Sequence, residues 1–316
     1  MVPYIIRRLF IAIPVLFGVT IVNFIIINMA PGNPVDMYID PNTSQEQLNL
    51  RKEQLGLNDP LWLQFIHWLS NLMHGNLGFS FSTYEPVTKI ILERIGPTFE
   101  LMLLALLVGL LIALPIGIIS AVKQYSKLDY FTTGISFFGI SIPHFFLGLG
   151  LIYFFAVKLQ ILPAGGRSTL GSEGDFLDKV KHLILPVLVL AVGIAGQYVR
   201  YIRASLLEVL GQDYLRTARA KGLKEFVVTN KHALKNALIP IITIIGLEIP
   251  LLLGGAVITE QVFQWPGMGQ LTIQSIMSRD YPTLMALNLL TAFMVLFANL
   301  LTDIVYSFVD PRIKYK

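Results

Sequence analysis

Six stretches of this chain stay apolar for about the thickness of a bilayer, and nothing else limits its fold as strongly. A hydrocarbon core of roughly 30 Å takes about 20 residues of α-helix. Runs near Leu9–Met29, Phe99–Val122, Phe131–Val157, Leu183–Val199, Ile239–Ile258 and Leu284–Tyr306 meet or approach that length. Backbone amides in hydrocarbon must be paired within their own segment, so each run is expected to be helical. Composition agrees. Of 316 residues, 54% are hydrophobic and 14% charged, with a mean hydropathy of +0.65. A soluble domain carries roughly 25% charged residues, and a single soluble core stops growing at about this chain length. Pro14, Pro115, Pro143, Pro186 and Pro250 fall inside the runs, as do Gly117, Gly148 and Gly193. Membrane helices tolerate both residue types, and small residues let helices approach. The first run follows Arg7 and Arg8. It exceeds the roughly 7–15 residues of a secretory apolar core and leads into Pro31-Gly32-Asn33-Pro34, so it is read as a retained span.

Orientation follows from the basic residues. If the N-terminus is inside, the inside segments hold Arg7, Arg8, Lys123, Lys127, Arg200, Arg203, Arg216, Arg219, Lys221, Lys224, Lys231, Lys235, Arg312, Lys314 and Lys316. The outside segments are longer in total. They hold only Arg51, Lys52, Lys89, Arg94, Lys158, Arg167, Lys179, Lys181 and Arg279, together with most of the acids. Both termini are expected inside, in a multi-pass protein of the cell (inner or plasma) membrane. The net charge of +4 is too small to indicate nucleic acid as a partner.

Two connections are too long for turns. The external Pro31–Thr98 segment carries Trp62, Phe65, Ile66, Trp68 and Leu69 at helical spacing, which predicts a small helical cap. The internal Arg200–Asn236 segment is basic and amphipathic. Leu207, Leu210, Tyr214 and Ala218 share one helical face, with Gln212, Arg216 and Arg219 opposite. Gly222 then interrupts as a C-terminal cap would, and a second face of Leu223, Val227, Leu234 and Leu238 follows. The spacing predicts a helix–glycine–helix hairpin. Its apolar face serves either as an anchor on anionic headgroups or as a docking element for a cytosolic partner. The chain divides into 1–98, the first span plus cap, and 99–316, a five-span core with the internal loop at 200–236.

The internal segment Asp213-Tyr214-Leu215-Arg216-Thr217-Ala218-Arg219-Ala220-Lys221-Gly222, followed by His232-Ala233-Leu234-Lys235-Asn236-Ala237-Leu238-Ile239-Pro240, resembles the coupling loop of ATP-binding cassette import permeases. It is most similar to the dipeptide/oligopeptide branch, of the first-permease type. Arg216-Thr217-Ala218 stands where the broad family has Glu-Ala-Ala, and the gap from Gly222 to Pro240 is longer than in sugar permeases. Ala30-Pro31-Gly32-Asn33-Pro34, Leu55-Gly56-Leu57-Asn58-Asp59-Pro60 and Gly75-Asn76-Leu77-Gly78-Phe79-Ser80 are similar to segments of that branch. So is the run from Gly254 to Phe263 with Trp265-Pro266-Gly267-Met268-Gly269, and the resemblance spans nearly the whole chain.

The resemblance implies an all-α, six-helix type I importer permease fold with an external cap. It implies one membrane subunit of an ATP-driven, binding-protein-dependent peptide importer, paired with a second homologous permease. Two cytosolic ATP-binding cassette ATPases and an extracellular or periplasmic solute-binding protein complete the machine. Asp213, Arg216, Ala218, Arg219 and Gly222 would form the ATPase-coupling element. Alternatives are the same machinery carrying nickel chelates, glutathione or oligosaccharides, or an ion-coupled secondary transporter.

No cofactor of its own is expected. The chain has no Walker A pattern and no Gly-Lys pair, so ATP would bind on partner subunits and the chain is not an enzyme. Its five histidines lack metal-ligand spacing and it has no cysteine. Of these histidines, His144, after Pro143, is the one placed at membrane depth. Glu248, mid-span in the fifth run, is the candidate pathway residue, because a carboxylate there costs about 2.5–3.5 kcal/mol on insertion scales; a structural contact to a partner helix is the alternative. Glu260, Phe263, Trp265, Pro266, Gly267 and Gly269 form the candidate external gate, expected as a re-entrant turn on Pro266-Gly267; a tight re-entry loop with no gating role is the alternative.

Overall fold

A computed structural model describes residues 2–29, 46, 49–50, 53, 56–172, 174–254 and 256–309. The side chains of residues 2–5, 9, 247–254 and 303–309 lie outside that description. Among the described residues the fold is helical and contains no β-strand; Phe79 and Pro86 make one isolated bridge. The helices are α1 (Val2–Met29), α2 (Leu61–Met73), α3 (Val87–Val122), α4 (Lys127–Ser141), α5 (His144–Leu151), α6 (Phe176–Leu210), α7 (Asp213–Ala220), α8 (Leu234–Gly254), α9 (Val257–Val262), α10 (Met268–Met277) and α11 (Tyr281–Val309).

Four of these, α1, α3, α6 and α11, are long and apolar enough to cross a membrane. The third expected span is not one straight helix. It is α4 followed, after a 96° bend at Ile142-Pro143, by α5 and its π-helical continuation Ile152–Lys158. Pro143 has no N–H to continue the ladder, and the residue before a proline is pushed out of the α region, as the extended Ile142 shows. The fifth expected span corresponds to α8, whose 21 residues cover about 31 Å. It is described as far as Gly254, and Ile258 belongs to α9. Six crossings were expected; among the described residues four helices are long and apolar enough, five if the bent pair is one span, and α8 stands where the remaining one was expected.

The central pair is α3 against α6. Glycine makes it close: a Cβ on Gly109 would lie 2.7 Å from Ile194, and one on Gly117 would lie 2.8 Å from Ile202. Tyr198, Val199 and Ile202 of α6, Leu106 and Ala113 of α3 and Ile241 of α8 make a core shared by three helices. Peripheral α1 packs on α11.

The outer side departs from the hydropathy reading. Helix α3 begins at Val87, twelve residues before the expected Phe99. Val87, Ile90 and Ile91 form an inward stripe that buries against Met268 and Leu271 of α10 and Ala286 and Leu287 of α11, so packing extends the helix where hydropathy does not. The cap is α2. Phe65 and Trp68 dock on Phe24, Ile27, Leu284 and Met285, whereas Trp62 and Ile66 point outward.

Candidate functional site

The internal loop begins on a rod. Helix α6 runs 35 residues, about 52 Å, which exceeds the bilayer core by some 20 Å. It breaks at Gly211-Gln212, and α7 starts with Asp213 in its first turn and ends with Arg219 in its last, both favourable to the helix dipole. Gly222 adopts φ +77°, the left-handed geometry that favours glycine. Its N–H donates to the Arg219 carbonyl and that of Leu223 to the Ala218 carbonyl, a Schellman ending.

The break at Gly211-Gln212 re-phases the helix. The face expected to run from Leu207 through Tyr214 to Ala218 does not continue across it. Leu215, not Tyr214, points inward, fully buried among Ala121, Leu206, Val228, Ala233 and Ala237, with Ala218 at the edge. Tyr214 is exposed and closes the hairpin: its hydroxyl accepts from Asn236 Nδ2 at 2.8 Å. A second clasp spans the glycine turn, where Arg219 donates to Glu225 at 2.8–3.3 Å. That bond holds the Glu225 carboxyl below its usual range and the Arg219 guanidinium above its own. After the three-residue helical turn Glu225–Val227, the π-helical segment Val228–Ala233 leads into α8. Asp213 and Arg216 remain exposed on the outer face of α7, bonded to each other at 3.3 Å.

Above this loop lies a clamp that sequence reasoning missed. Asp129, near the start of α4 and 3% exposed, receives two hydrogen bonds of 2.8 Å from Arg203 of α6. It also receives bonds from the Ser120 hydroxyl of α3 and, at 2.9 Å, the Tyr125 amide. The signal that could have found its local half is an N-cap, Ser126 accepting from the Asp129 amide three residues on. The partner 74 residues away gives no such signal.

The outer-turn residues converge. Glu260 of α9 is fully buried, and its carboxylate accepts from Thr98 Oγ1 at 3.0 Å and from the Gln270 amide at 3.0 Å. The Thr98 hydroxyl in turn accepts from the Met268 amide at 2.7 Å. Burial pushes the Glu260 carboxyl above its ordinary range, opposed by those hydrogen bonds. Trp265 is fully buried among Leu101, Ala105, Leu183, Val187 and Leu190, and its indole N–H donates to the Pro97 carbonyl at 3.0 Å. Phe263 packs on Leu185 and Val189 of α6, and its carbonyl accepts from the Gly166 amide. Gly267 and Gly269 are packing glycines: a Cβ on Gly267 would lie 2.4 Å from Glu260, and one on Gly269 2.6 Å from the Val257 backbone. Pro266 completes this turn, which is fastened to α3 and α6.

The backbone of Glu248 lies within α8, but its side chain is outside the described residues. Under the cap, a cavity of about 680 Å³ is lined by Phe24, Trp68, Asn71, Tyr84, Tyr281 and Met285 and holds none of the candidate residues. Among the described residues no group of His, Asp and Glu is arranged to hold a metal.

Comparison with known proteins places the chain in a family. Residues 113–315 match the model of the binding-protein-dependent transport system inner membrane component, and residues 1–102 match that of its N-terminal part. The chain is 46% identical to the oligopeptide transport system permease protein AppB of Bacillus subtilis over 316 residues, covering all of both chains. It is 38% identical to the dipeptide transport system permease protein DppB of Escherichia coli K12 over 338 residues, again covering all of both. Among solved structures, an inward-facing MetNI methionine ABC transporter superposes with a TM-score of 0.58 at 19% identity, over 71% of this chain and 97% of that one. At that identity the likeness concerns the fold.

Proposed function

The chain belongs to the family of binding-protein-dependent transport system inner membrane components, and from that membership we propose that it forms half of the membrane pathway of an ATP-driven peptide importer. The peptide substrate rests on full-length relatives named as oligopeptide and dipeptide permeases. Both termini and α7 lie in the cytosol, a reading supported by the excess of basic residues on that side. A second homologous permease completes the pathway, two cytosolic ATPases sit beneath it, and an exported binding protein delivers peptide to the outer loops. ATP is bound by the ATPases.

The observation that carries this reading is the continuity of α6. At its inner end Leu206 is packed with Leu215 of α7. At its outer end Leu183, Val187 and Leu190 hold Trp265 of the outer turn. A long helix packed at both ends transmits displacement because its interior contacts do not deform continuously. ATP-driven closure of the ATPases moves α7, α6 carries the motion, and the outer turn shifts as a body between inward-open and outward-open states. The ATPases bias that equilibrium through contacts that differ between the two states. Asp213, Arg216 and Arg219 present the outward face of α7 to the ATPase, Ala218 seats α7 on the loop core, and Gly222 sets its end. Glu260, Phe263, Trp265, Pro266, Gly267 and Gly269 form a gate that moves as one unit. Glu248 is retained as the pathway carboxylate of α8.

The test is Arg216→Glu. Its side chain is 74% exposed, so the change leaves the chain's own packing intact. Peptide uptake should fall at least tenfold and the ATPases should co-purify less, at an unchanged level of the chain in the membrane. Normal uptake with a normal complex would remove α7 from the coupling path.

A further inference from the structure

The bend between α4 and α5 carries polar groups at a depth where lipid cannot satisfy them. The His144 ring lies over Gly193 of α6, where a Cβ would stand 2.9 Å from His144 Nε2. Gly193 is two residues, about 3 Å, from the centre of the apolar stretch Leu183–Val199, which puts the ring near mid-depth. Its other side is exposed, as are Ser141 and Pro143. Among the described residues, neither the His144 ring nor the Ser141 hydroxyl has a hydrogen-bond partner, and no side chain caps α5. The backbone is broken at the same point, with α4 ended at Ser141 and α5 restarting after Pro143 at 96°.

Each unsatisfied polar group in hydrocarbon costs several kcal/mol, and broken backbone at membrane depth persists only where protein or water meets it. An ionisable ring there marks a functional surface by the same reasoning. We propose that the Ser141–His144 bend lines the water-filled translocation pathway at mid-depth, and that the His144 imidazole hydrogen-bonds the polar backbone of the peptide in transit. An imidazole suits that ligand because it both donates and accepts, as a peptide group does. The aqueous exposure of the bend stands by itself; the identity of the ligand rests on the peptide-importer reading.

The chain has no native cysteine, so single cysteines can be read without background on it. In the assembled transporter in native membranes, His144→Cys and Ser141→Cys should react with a charged, water-borne thiosulfonate. Ile13→Cys, on the exposed face of α1, should not react. Peptide substrate should slow the reaction at His144→Cys about fivefold. His144→Ala should raise the peptide concentration for half-maximal uptake about fivefold, the equivalent of one hydrogen bond. Variants at 141 and 144 that assemble, transport and resist the reagent would overturn the proposal, placing the bend against lipid or the partner subunit. Loss of assembly in all of them would assign it to subunit packing. Reaction without peptide protection, together with unchanged uptake by His144→Ala, would overturn the peptide contact. Absence of peptide uptake by the unsubstituted transporter would instead count against the peptide-importer reading, with the reagent still reporting on the bend.

Discussion

Single residues fasten the outer turn, and Gly267 is the tightest of them. A Cβ there would press on Glu260 Cδ at 2.4 Å and on Thr98 Oγ1 at 2.5 Å, two groups already fixed by hydrogen bonds to each other and to α10. Gly267→Ala should cost about 1–3 kcal/mol through overpacking, seen as a lower unfolding temperature of the purified complex and reduced uptake. Glu260 gives a second readout. Burial raises its folded pKa above the ordinary 4.5, so the folded state keeps a proton that the unfolded chain has released. Stability from this group is therefore full below about pH 4.5 and declines as pH rises towards the folded pKa. The difference in unfolding temperature between the parent and Glu260→Gln, followed from pH 4 to 7, isolates the effect. The parent should lose stability relative to the variant as pH rises, and parallel curves would contradict it.

At the scale of elements, Asp129 and Arg203 join the start of α4 to the C-terminal part of α6, with Ser120 adding α3. Removing one partner of a buried pair strands the other. Asp129→Asn should therefore destabilise the chain near the low end of the roughly 3–5 kcal/mol seen for such pairs, since Arg203 keeps 27% exposure. Thermal unfolding of the complex measures it, and a change below about 1 kcal/mol would show that the clamp is dispensable. Much of this level was legible in the sequence. Hydropathy located the apolar stretches because bilayer length is a strong constraint, and Gly222 announced its helix end because few residues accept its φ. Three features were hidden. The bend at Pro143 lies inside a continuous apolar run, so hydropathy gives no break. The early start of α3 depends on α10 and α11, more than 170 residues away in sequence. The inward turn of Leu215 depends on the interruption at Gly211-Gln212, which breaks the periodicity from which Tyr214 was assigned inward.

The whole molecule is a set of membrane helices with a folded element at each end of one rod. At the inner end α7, Leu215 and the Gly222 cap form a packed hairpin with an exposed charged face. At the outer end Trp265 and Glu260 lock the α9–α10 turn. The candidate gate residues share one turn, in which Trp265 and Phe263 are buried against different neighbours of α6. That convergence was readable in the sequence only as a motif, because their partners Pro97 and Thr98 lie more than 160 residues earlier. The function follows if the hairpin faces the cytosol and a motor grips it there. Arg216→Cys supplies the direct measurement, through labelling with a membrane-impermeant maleimide. The residue should be silent in intact cells, reactive in inverted vesicles stripped of the ATPases, and shielded again once the ATPases are added back. Labelling from the outside of intact cells would contradict the orientation, and with it the motor-driven mechanism.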